Sequence, residues 1–523
     1  MIRVLDPATA VVRPGQEIGT TAYVSDRLLV RGEQIWNRDR RVDEILGQFG
    51  WALRPPGRYR DKDIPRREPR APFDLASQQV VGFELYVASD APTVAPDAWT
   101  VLQRIRTVAV DVADAYELVH VFTASGGGYW HGIGGGYWHG IGGGYWHGIG
   151  GGYWHGIGTP DEYAVPGYGG KSPVAVVMDD PSKTAPRLKR PPVVVMPDTG
   201  IGPHPWFPDA AVAGVQPPPA SLGVTVMGSP VADETDGVGS RLTGGLDDLA
   251  GHGTFIAGIV RQICPAAHLV SHAIMGSDGV VLEDTVLDLL QDVLDHQLAA
   301  LASGDASAVI DVLTLSFGGY HEDAPDEDSD PSVLFGSSLA TVLRDLGSAG
   351  VLVVAGAGND ATTRPFVPAA FAGDTGAGKG GLPLVSVGSL NPDRSKVSLF
   401  SNAGTWVTTY RHGAAIVSTL PQKQNASSQA STNVPGINTL PESEQPAALA
   451  GKLPTPQDRA TIDLDDFSSG FGIWSGTSFA APVLAGQLAR ALVSLGTEAA
   501  DLDSLRKRGW VALAKVLGPV RRS

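Results

Sequence analysis

Three short segments of the sequence contain residues that together would activate a serine nucleophile. Asp198 follows the apolar run VVVM, His252 stands in GHGTFIAGIV, and Ser478 stands in SGTSFAAPVLAG. A serine hydroxyl attacks a carbonyl carbon when a histidine takes its proton and a buried aspartate orients that histidine. Each segment alone is a weak signal, since DTG is usually a turn and GTS before a helix is by default an N-cap. Their order, Asp then His then Ser, in one strand–helix pattern indicates nucleophilic catalysis.

Repeated strand–helix units surround these segments from residue 192 onward. Five apolar runs predict buried parallel strands, at residues 193–196, 269–274, 309–317, 351–355 and 384–387. Long helical patterns lie between them, for example at residues 283–302. This alternation predicts an α/β fold with a doubly wound, mainly parallel sheet whose site lies at the carboxyl ends of the strands.

The three segments closely resemble those of the subtilisin-like serine proteases, the subtilases, over roughly residues 160–515. The resemblance implies a subtilisin-like catalytic domain in which Asp198, His252 and Ser478 form the catalytic triad. The segment VLVVAGAGND resembles the family strand that ends in the oxyanion-hole asparagine, which implies that role for Asn359. The chain is therefore predicted to be a serine endopeptidase that hydrolyses peptide or protein substrates through an acyl-enzyme on Ser478.

The segment VLTLSFGG resembles the family strand that pairs with the substrate backbone. The substrate-binding residues implied by the resemblance are Ser316, Phe317 and Gly318 on one side of the groove, and Gly356, Ala357 and Gly358 on the other. Phe317 stands where a leucine is more usual in the family, so the shape of the pocket is left open. The competing hypothesis is a catalytically inactive relative that binds peptides or partners through the same groove. The intact Asp198, His252, Ser478 and Asn359 favour the enzyme.

The first 125 residues show the pattern of a separate small domain. Strands are predicted at residues 27–31, 51–53, 80–87 and 116–122, and helices at residues 42–49 and 98–108. The order β-α-β-β-α-β predicts an α+β ferredoxin-like domain. Many subtilases carry an N-terminal prodomain of this order, whose tail lies in the groove as an extended strand. The resemblance thus implies that residues 1–125 are the chain's own intramolecular inhibitor.

One octapeptide, GGGYWHGI, is repeated four times within residues 126–158 and is followed by a connector at residues 159–191. Four glycines in every eight residues favour a flexible linker. Three alternatives stay open: a tail that docks in the groove, a metal site, and an unrelated binding module. The candidate metal ligands are His131, His139, His147 and His155, although their spacing does not place two of them on one helix face. Subtilases are normally cut here during maturation, which predicts self-processing within residues 123–168.

The segment YHEDAPDEDSD at residues 320–330 places six carboxylates beside the expected groove. A solvated loop is the favoured interpretation, and a preference for basic substrate residues or a calcium site are the alternatives. The carboxylates do not follow the spacing of an EF-hand loop. No cofactor and no metal site are therefore predicted, and calcium stays an open alternative.

Length, charge and cysteine content narrow the function classes. The chain has 523 residues and a net charge of −16, almost all of it after residue 125, which argues against nucleic acid as a partner. Cys264 is the single cysteine, so no intramolecular disulfide forms, and we expect it to pack in the core. The N-terminus MIRVLDPATAVV lacks the pattern of a signal peptide, and no apolar run approaches the ~18 residues of a membrane span. These features predict a cytoplasmic protein without a membrane partner, with export by a route not visible in the sequence as the alternative.

The sequence therefore divides into an N-terminal domain (1–125), the repeat (126–158), the connector (159–191) and a catalytic domain (192–523). Residues 421–470 interrupt the catalytic domain. They are rich in Gln, Asn, Ser and Pro and lack periodicity, which is typical of a polar surface insertion, and their composition is that of disordered segments.

Overall fold

A computed structural model describes most of the chain. The described residues are 1–70, 72–88, 94–124, 171–174, 176–207, 224–227, 246–374, 380–422, 424, 433–434, 436–455, 457, 459–460, 466–498 and 500–518. The octapeptide repeat with its four histidines, and most of the predicted processing region, lie outside them.

Strands and helices alternate through the described residues. The strands are β1 (Ile2–Leu5), β2 (Thr21–Arg31), β3 (Trp51–Arg54), β4 (Val80–Val87), β5 (Tyr116–Ala124), β6 (Ser172–Pro173), β7 (Val193–Asp198), β8 (Val224–Met227), β9 (His268–Ala273), β10 (Val280–Leu282), β11 (Val312–Leu315), β12 (Phe317–Tyr320), β13 (Leu352–Gly356), β14 (Phe366–Val367), β15 (Val385–Leu390), β16 (Thr409–His412), β17 (Ile416–Thr419), β18 (Asn433–Val434), β19 (Arg459–Ala460) and β20 (Phe471–Trp474). The helices are α1 (Arg40–Gln48), α2 (Ala98–Val108), α3 (His252–Ile263), α4 (Glu283–Ser303), α5 (Ser338–Ser348), α6 (Gln445–Leu449), α7 (Thr477–Leu495) and α8 (Leu502–Leu517).

The N-terminal part, residues 1–124, has its helices on one face of an antiparallel sheet. The strands lie in the order β5-β2-β4-β3, and β1 pairs with β2. Leu28 and Val30 of β2 point into a core shared with Ile45 of α1 and Leu102 of α2. Leu29, between them, packs into the core of the rest of the molecule. The alternation of strand side chains thus gives this sheet two buried faces.

The C-terminal part, residues 171–518, contains a seven-stranded sheet. Its order is β16-β15-β13-β11-β7-β9-β8, and every neighbouring pair is parallel. The five predicted parallel strands correspond to β7, β9, β11, β13 and β15, with ends that shift by a few residues. The α/β fold with a mainly parallel sheet is therefore confirmed. Asp198 ends β7, Ser316 follows β11 and Asn359 follows β13, so the candidate residues gather at one edge.

The predicted single strand at residues 309–317 is wrong. β11 ends at Leu315, and β12 begins at Phe317 and belongs to a different sheet, where it pairs with β5 and β14. Ser316 separates the two strands, because its backbone and side chain bond to Ser478 at the start of α7 instead of a neighbouring strand. The chain therefore leaves the parallel sheet next to the candidate nucleophile.

Strand β5 joins the two parts of the molecule. One of its edges pairs antiparallel with β10 and the other with β12, which both belong to the C-terminal part. Phe122 and Phe317 stack across this junction with ring centroids 6.5 Å apart. The last described residue of the N-terminal part, Ala124, donates its backbone N–H to Gly279 O at 2.8 Å. The end of β5 is thus held as the middle strand of three.

Helix α7 corrects the expectation that no apolar run approaches the length of a membrane span. It has 19 residues and a mean hydropathy of 1.3, so by length and composition it is able to cross a membrane. However, 67% of that segment is buried inside the protein, and α7 packs along β11, β13, β15 and β16. Its small residues, such as Ala480 and Ala485, let the strands approach closely. It is therefore the central helix of the core.

The described residues also include Cys264 and parts of the polar insertion at residues 421–470. Cys264 is 2% exposed, and burial raises the pKa of its thiol to about 11, which fits a packing residue. Within the polar insertion, β18 pairs with β19 and α6 forms a short helix, so its described residues include regular structure.

A buried ion-pair group fastens the beginning of the C-terminal part to its end. Asp311 is 3% exposed and lies 2.6 Å from Arg190 Nη1 and 3.0 Å from Arg508 Nη2.

We expect Asp311→Ala to lower the free energy of unfolding by about 3–5 kcal/mol, because it leaves two guanidinium groups without their carboxylate. Urea unfolding measures this loss. The exposed Asp503→Asn on α8 is the control, and equal stabilities of the two variants would contradict the assignment.

Candidate active site

Asp198 and His252 form a buried hydrogen-bonded pair at the edge of the parallel sheet. Asp198 is 1% exposed and His252 0%, and His252 Nδ1 lies 2.7 Å from Asp198 Oδ1. The Asp198 carboxylate accepts this hydrogen bond, so Nδ1 of His252 carries the proton and Nε2 has a free lone pair. His252 Nε2 is buried and has no hydrogen-bond partner among the described residues. The imidazole is thus oriented with its proton-accepting nitrogen available.

The backbone around this pair leaves no room for side chains at two glycines. Gly251 caps α3 at φ 85°, a conformation that favours glycine. A Cβ on Gly253 would meet the carbonyl oxygen of Gly200 at 2.1 Å, which is far inside van der Waals contact. This close approach brings the first turn of α3 against the turn after Asp198. The glycines of GHGT and DTG therefore set the distance between the two candidate residues.

Ser478 lies in the first turn of α7 and is 1% exposed. Its Oγ donates to Ser316 O at 3.0 Å, while Ser316 Oγ donates to Ser478 O at 2.9 Å. The hydroxyl thus does not bond to His252 in this structure, and catalysis requires it to turn about χ1. The rings of Trp474 and Phe479, on either side of Ser478 in the chain, pack against the His252 imidazole at centroid distances of 5.6 and 5.3 Å. These contacts place the start of α7 beside His252.

Asn359 is fastened to the segment that carries Ser478. Its Oδ1 accepts from Thr477 N–H at 2.9 Å, and Thr477 Oγ1 accepts from Gly358 N–H at 3.0 Å. The bonded carbonyl oxygen of the side-chain amide fixes the plane in which its NH₂ group lies. A preorganised donor of this kind stabilises an oxyanion, as long as it is aimed where the charge develops.

The predicted groove residues fall on two sides of the same edge. Ser316 and Phe317 are buried, and Gly318 pairs with Thr123 of β5. Gly358 has a φ of 97°, and a Cβ there would meet Asn402 Nδ2 at 2.4 Å. Gly356 ends β13 and Ala357 is fully buried. Hydrogen bonds thus join Ser316 to Ser478 and Gly358 to Thr477, and β5 runs along Phe317 and Gly318.

The acidic segment at residues 320–330 is not a uniformly solvated loop. Glu322 is 0% exposed, and its Oε2 lies 2.7 Å from His120 Nε2 in the N-terminal part. Asp330 caps a short helical turn by accepting from Ser332 N–H at 2.9 Å. The partner of Glu322 is distant in the sequence, and Asp330 acts as a local cap. Neither contact could be predicted from the run of charges alone.

Two neighbouring hydroxyls were not singled out from the sequence. Thr199 Oγ1 accepts from Gly253 N–H at 2.8 Å, which ties the Asp198 turn to α3. Thr477 Oγ1 ties α7 to the Asn359 segment in the same way. Thr199 directly follows Asp198 in DTG, and Thr477 directly precedes Ser478 in GTS. This adjacency in the sequence is the signal that could have identified them.

No curated protein sequence matches the chain. The structure is similar to fervidolysin from Fervidobacterium pennivorans, a keratinolytic enzyme related to subtilisin, at 16% identity and a TM-score of 0.44. That match covers 93% of this chain and 56% of fervidolysin, so the chain spans little more than half of that protein's length. A cold-adapted subtilisin-like serine proteinase is 19% identical over 62% of this chain and 82% of its own, with a TM-score of 0.35.

The sequence model of the subtilase family, peptidase S8, matches residues 192–497, which is more than half of the chain. This range contains Asp198, His252, Asn359 and Ser478, at the edge where the parallel strands end. The chain belongs to the subtilase family.

Proposed function

We propose that the protein is a serine endopeptidase that cleaves peptide bonds through an acyl-enzyme on Ser478. The observation that carries this proposal is the buried hydrogen bond between Asp198 and His252, whose Nε2 is left open beside the helix that carries Ser478. Membership of the subtilase family supports it. The inactive relative, by contrast, has no observation in its favour among the described residues of the site.

Each group has one task in the proposed reaction. Ser478 Oγ turns from Ser316 O toward His252 Nε2, gives up its proton there and attacks the substrate carbonyl carbon. Asp198 stabilises the resulting imidazolium, and the side-chain NH₂ of Asn359 with the backbone N–H of Ser478 stabilises the oxyanion. His252 then protonates the leaving amine, and water hydrolyses the acyl-enzyme by the same route in reverse.

Kinetics of single-residue variants test the assignment. Ser478→Ala should lower kcat by a factor on the order of 10⁶ and Asn359→Ala by about 10²–10³, as in subtilisin itself. Ser494→Ala, at the far end of α7, is the matched control, because its hydroxyl donates to Ala491 O in its own helix and accepts from Lys515 Nζ on α8, and bonds to no described residue of the candidate site. Hydrolysis of a peptide library by purified protein gives both rates. Full activity in Ser478→Ala would refute the mechanism.

We also propose that the N-terminal part is a ferredoxin-like prodomain that inhibits the site from within the chain. From β2 onward its strands and α-helices follow the order β-α-β-β-α-β, and the sheet order β5-β2-β4-β3 places the last of these strands beside β2. The end of β5 pairs with β12, next to Ser478, where the family binds the substrate backbone. A bound extended strand of this type blocks substrate access.

Charge complementarity supports the same proposal. Three arginines of the N-terminal part pair with three aspartates along α4: Arg27 with Asp284 at 2.7 Å, Arg58 with Asp288 at 2.5 Å and Arg67 with Asp295 at 2.7 Å. Glu117 accepts from both N–H and Oγ of Ser338 at the start of α5, where the helix dipole favours an anion. These contacts favour retention of the N-terminal part after the chain is cut.

The register of β5 favours one cut site. Thr123 lies opposite Gly318 and Ala124 opposite Phe317. The described pairing thus ends at Phe317, directly after Ser316, whose carbonyl oxygen accepts from the Ser478 hydroxyl. We therefore place the cut between Ser125 and Gly126, directly before the octapeptide repeat. In this proposal the repeat is a linker that becomes the new N-terminal segment.

Intact-mass spectrometry tests this maturation. The wild type should give two fragments, residues 1–125 and 126–523, whereas Ser478→Ala should stay whole. Removal of three copies of the octapeptide should leave the cut unchanged, because linker length alters closure entropy only slowly. A ladder with steps of eight residues would instead place the cuts inside the repeat. A wild-type chain that stays whole while it hydrolyses added peptides would refute self-processing.

A further inference from the structure

Four charged or titratable side chains are packed together where the N-terminal part meets the C-terminal part. His120 on β5 is 2% exposed, Glu283 at the start of α4 is 3%, and Glu322 after β12 is 0%. His321, next to Glu322, has a side chain that is 11% exposed. The proposed catalytic reaction uses none of these four residues, here called the interface cluster.

His120 is oriented by one carboxylate and faces another. Glu283 Oε2 accepts from the backbone N–H of His120 at 3.1 Å and from its Nδ1 at 2.6 Å. Nδ1 is thus the donating nitrogen, and Nε2 faces Glu322 Oε2 at 2.7 Å. A carboxylate that holds one imidazole N–H, so that the other nitrogen points into a site, is the usual support of a metal-binding histidine.

His321 turns an electron-rich atom toward the same carboxylate. Its Nδ1 accepts from Asp323 N–H at 3.1 Å, so it carries no proton, yet it lies 3.3 Å from Glu322 Oε2. Two lone pairs at that distance repel unless a cation lies near both. The other oxygen, Glu322 Oε1, is buried and accepts no hydrogen bond among the described residues. The cluster therefore has acceptor atoms in excess of donors.

We propose that His120, His321 and Glu322 bind one zinc-class divalent transition-metal ion that joins the two parts of the chain. The ligand atoms of these residues all lie within 4.8 Å of one another. Two imidazole nitrogens with a carboxylate suit Zn²⁺, whereas Ca²⁺ and Mg²⁺ take oxygen ligands. Ligand atoms around tetrahedral zinc are about 3.3 Å apart, so His120 and Glu322 need to separate by about half an ångström. Three protein ligands leave the fourth position to water.

The charges around the cluster favour a divalent cation. Glu283, Glu322 and Asp323 face the guanidinium of Arg106, which lies 3.7 Å from Glu322 and 3.8 Å from Asp323. A second guanidinium, that of Arg364, donates to His321 O at 3.1 Å, but Asp326 and Asp360 share its charge with Glu322. Carboxylates thus outnumber guanidinium groups around the cluster, which favours a bound cation while both imidazoles stay uncharged. Burial of uncompensated negative charge is costly, so a bound cation stabilises the interface. The Asp323 side chain, 38% exposed, lies at the solvent side, where a hydrated ion would enter.

Metal binding here has a consequence that rests on the proposed function. Because His120 belongs to the N-terminal part and the other two ligands to the C-terminal part, the ion would slow release of the cut prodomain. The site itself needs no proteolysis. If zinc slows the release of residues 1–125 from the cut chain but those residues do not inhibit peptide hydrolysis, the inhibitor proposal fails and the metal site stands.

Zinc binding to the full-length, uncut chain tests the site. The parent is Ser478→Ala with the four repeat histidines replaced by glutamine, so that the repeat contributes no ligands. Equilibrium dialysis with elemental analysis should give one zinc per chain, and Co²⁺ should give the absorption bands of a four-coordinate site. His120→Gln and His321→Gln should each weaken binding at least about 100-fold, and Glu283→Gln about 10–100-fold, because it only orients His120. The exposed His296→Gln on α4 is the control.

Thermal unfolding of each variant shows whether it folds, and zinc should raise the Tm of the parent but not of His321→Gln. His321 lies at the edge of the cluster, so its variant keeps the test usable if His120→Gln is unstable. No bound zinc at a tenfold molar excess, or equal binding by His321→Gln and the parent, would overturn the proposal. The cluster would then hold only a proton, with His120 as an imidazolium between two glutamates.

Discussion

The structure of the site depends on one buried contact, the hydrogen bond from His252 to Asp198. A carboxylate buried in a protein core is unfavourable unless it is paired, and Asp198 is paired through Thr199 N–H and His252 Nδ1. The parallel sheet provides the position, because the carboxyl ends of β7, β11 and β13 meet at one edge. The lack of a side chain at Gly253 provides the distance. The rings of Trp474 and Phe479 then keep the start of α7 against the same imidazole.

The second constraint is the position of β5 between β10 and β12. A strand with both edges paired has its backbone groups satisfied, so the end of the N-terminal part is well held by the C-terminal part. The arginine–aspartate pairs along α4 and the buried interface cluster add charged contacts on the same side. In the proposed role as a prodomain, the N-terminal part uses this docking to cover the groove. Its release then requires the loss of strand pairing and of several ion pairs together.

Local patterns in the sequence predicted most of the fold and the members of the candidate site. Apolar runs gave the parallel strands because a strand buried on both faces needs continuous apolar residues. The DTG, GHGT and GTS segments identified the candidate catalytic residues through their resemblance to subtilase segments, and the close approach at Gly253 gives the physical reason for one of the glycines. The same reasoning wrongly predicted one strand where the structure has β11 and β12. The break between them, at Ser316, arises from hydrogen bonds to Ser478, 162 residues away. It also favoured a solvated loop at residues 320–330, although Glu322 is buried against His120, which is 202 residues away in the chain. Contacts of this kind follow from tertiary packing and leave no local signal.

The central claim is that His252, held by Asp198, activates Ser478. The most direct measurement is the labelling of the purified protein by a serine-reactive phosphonate, with the adduct located by peptide mass spectrometry. The account predicts one adduct, on the peptide that contains Ser478, and its loss in His252→Ala. An adduct on a different residue, or equal labelling rates in the wild type and His252→Ala, would contradict it.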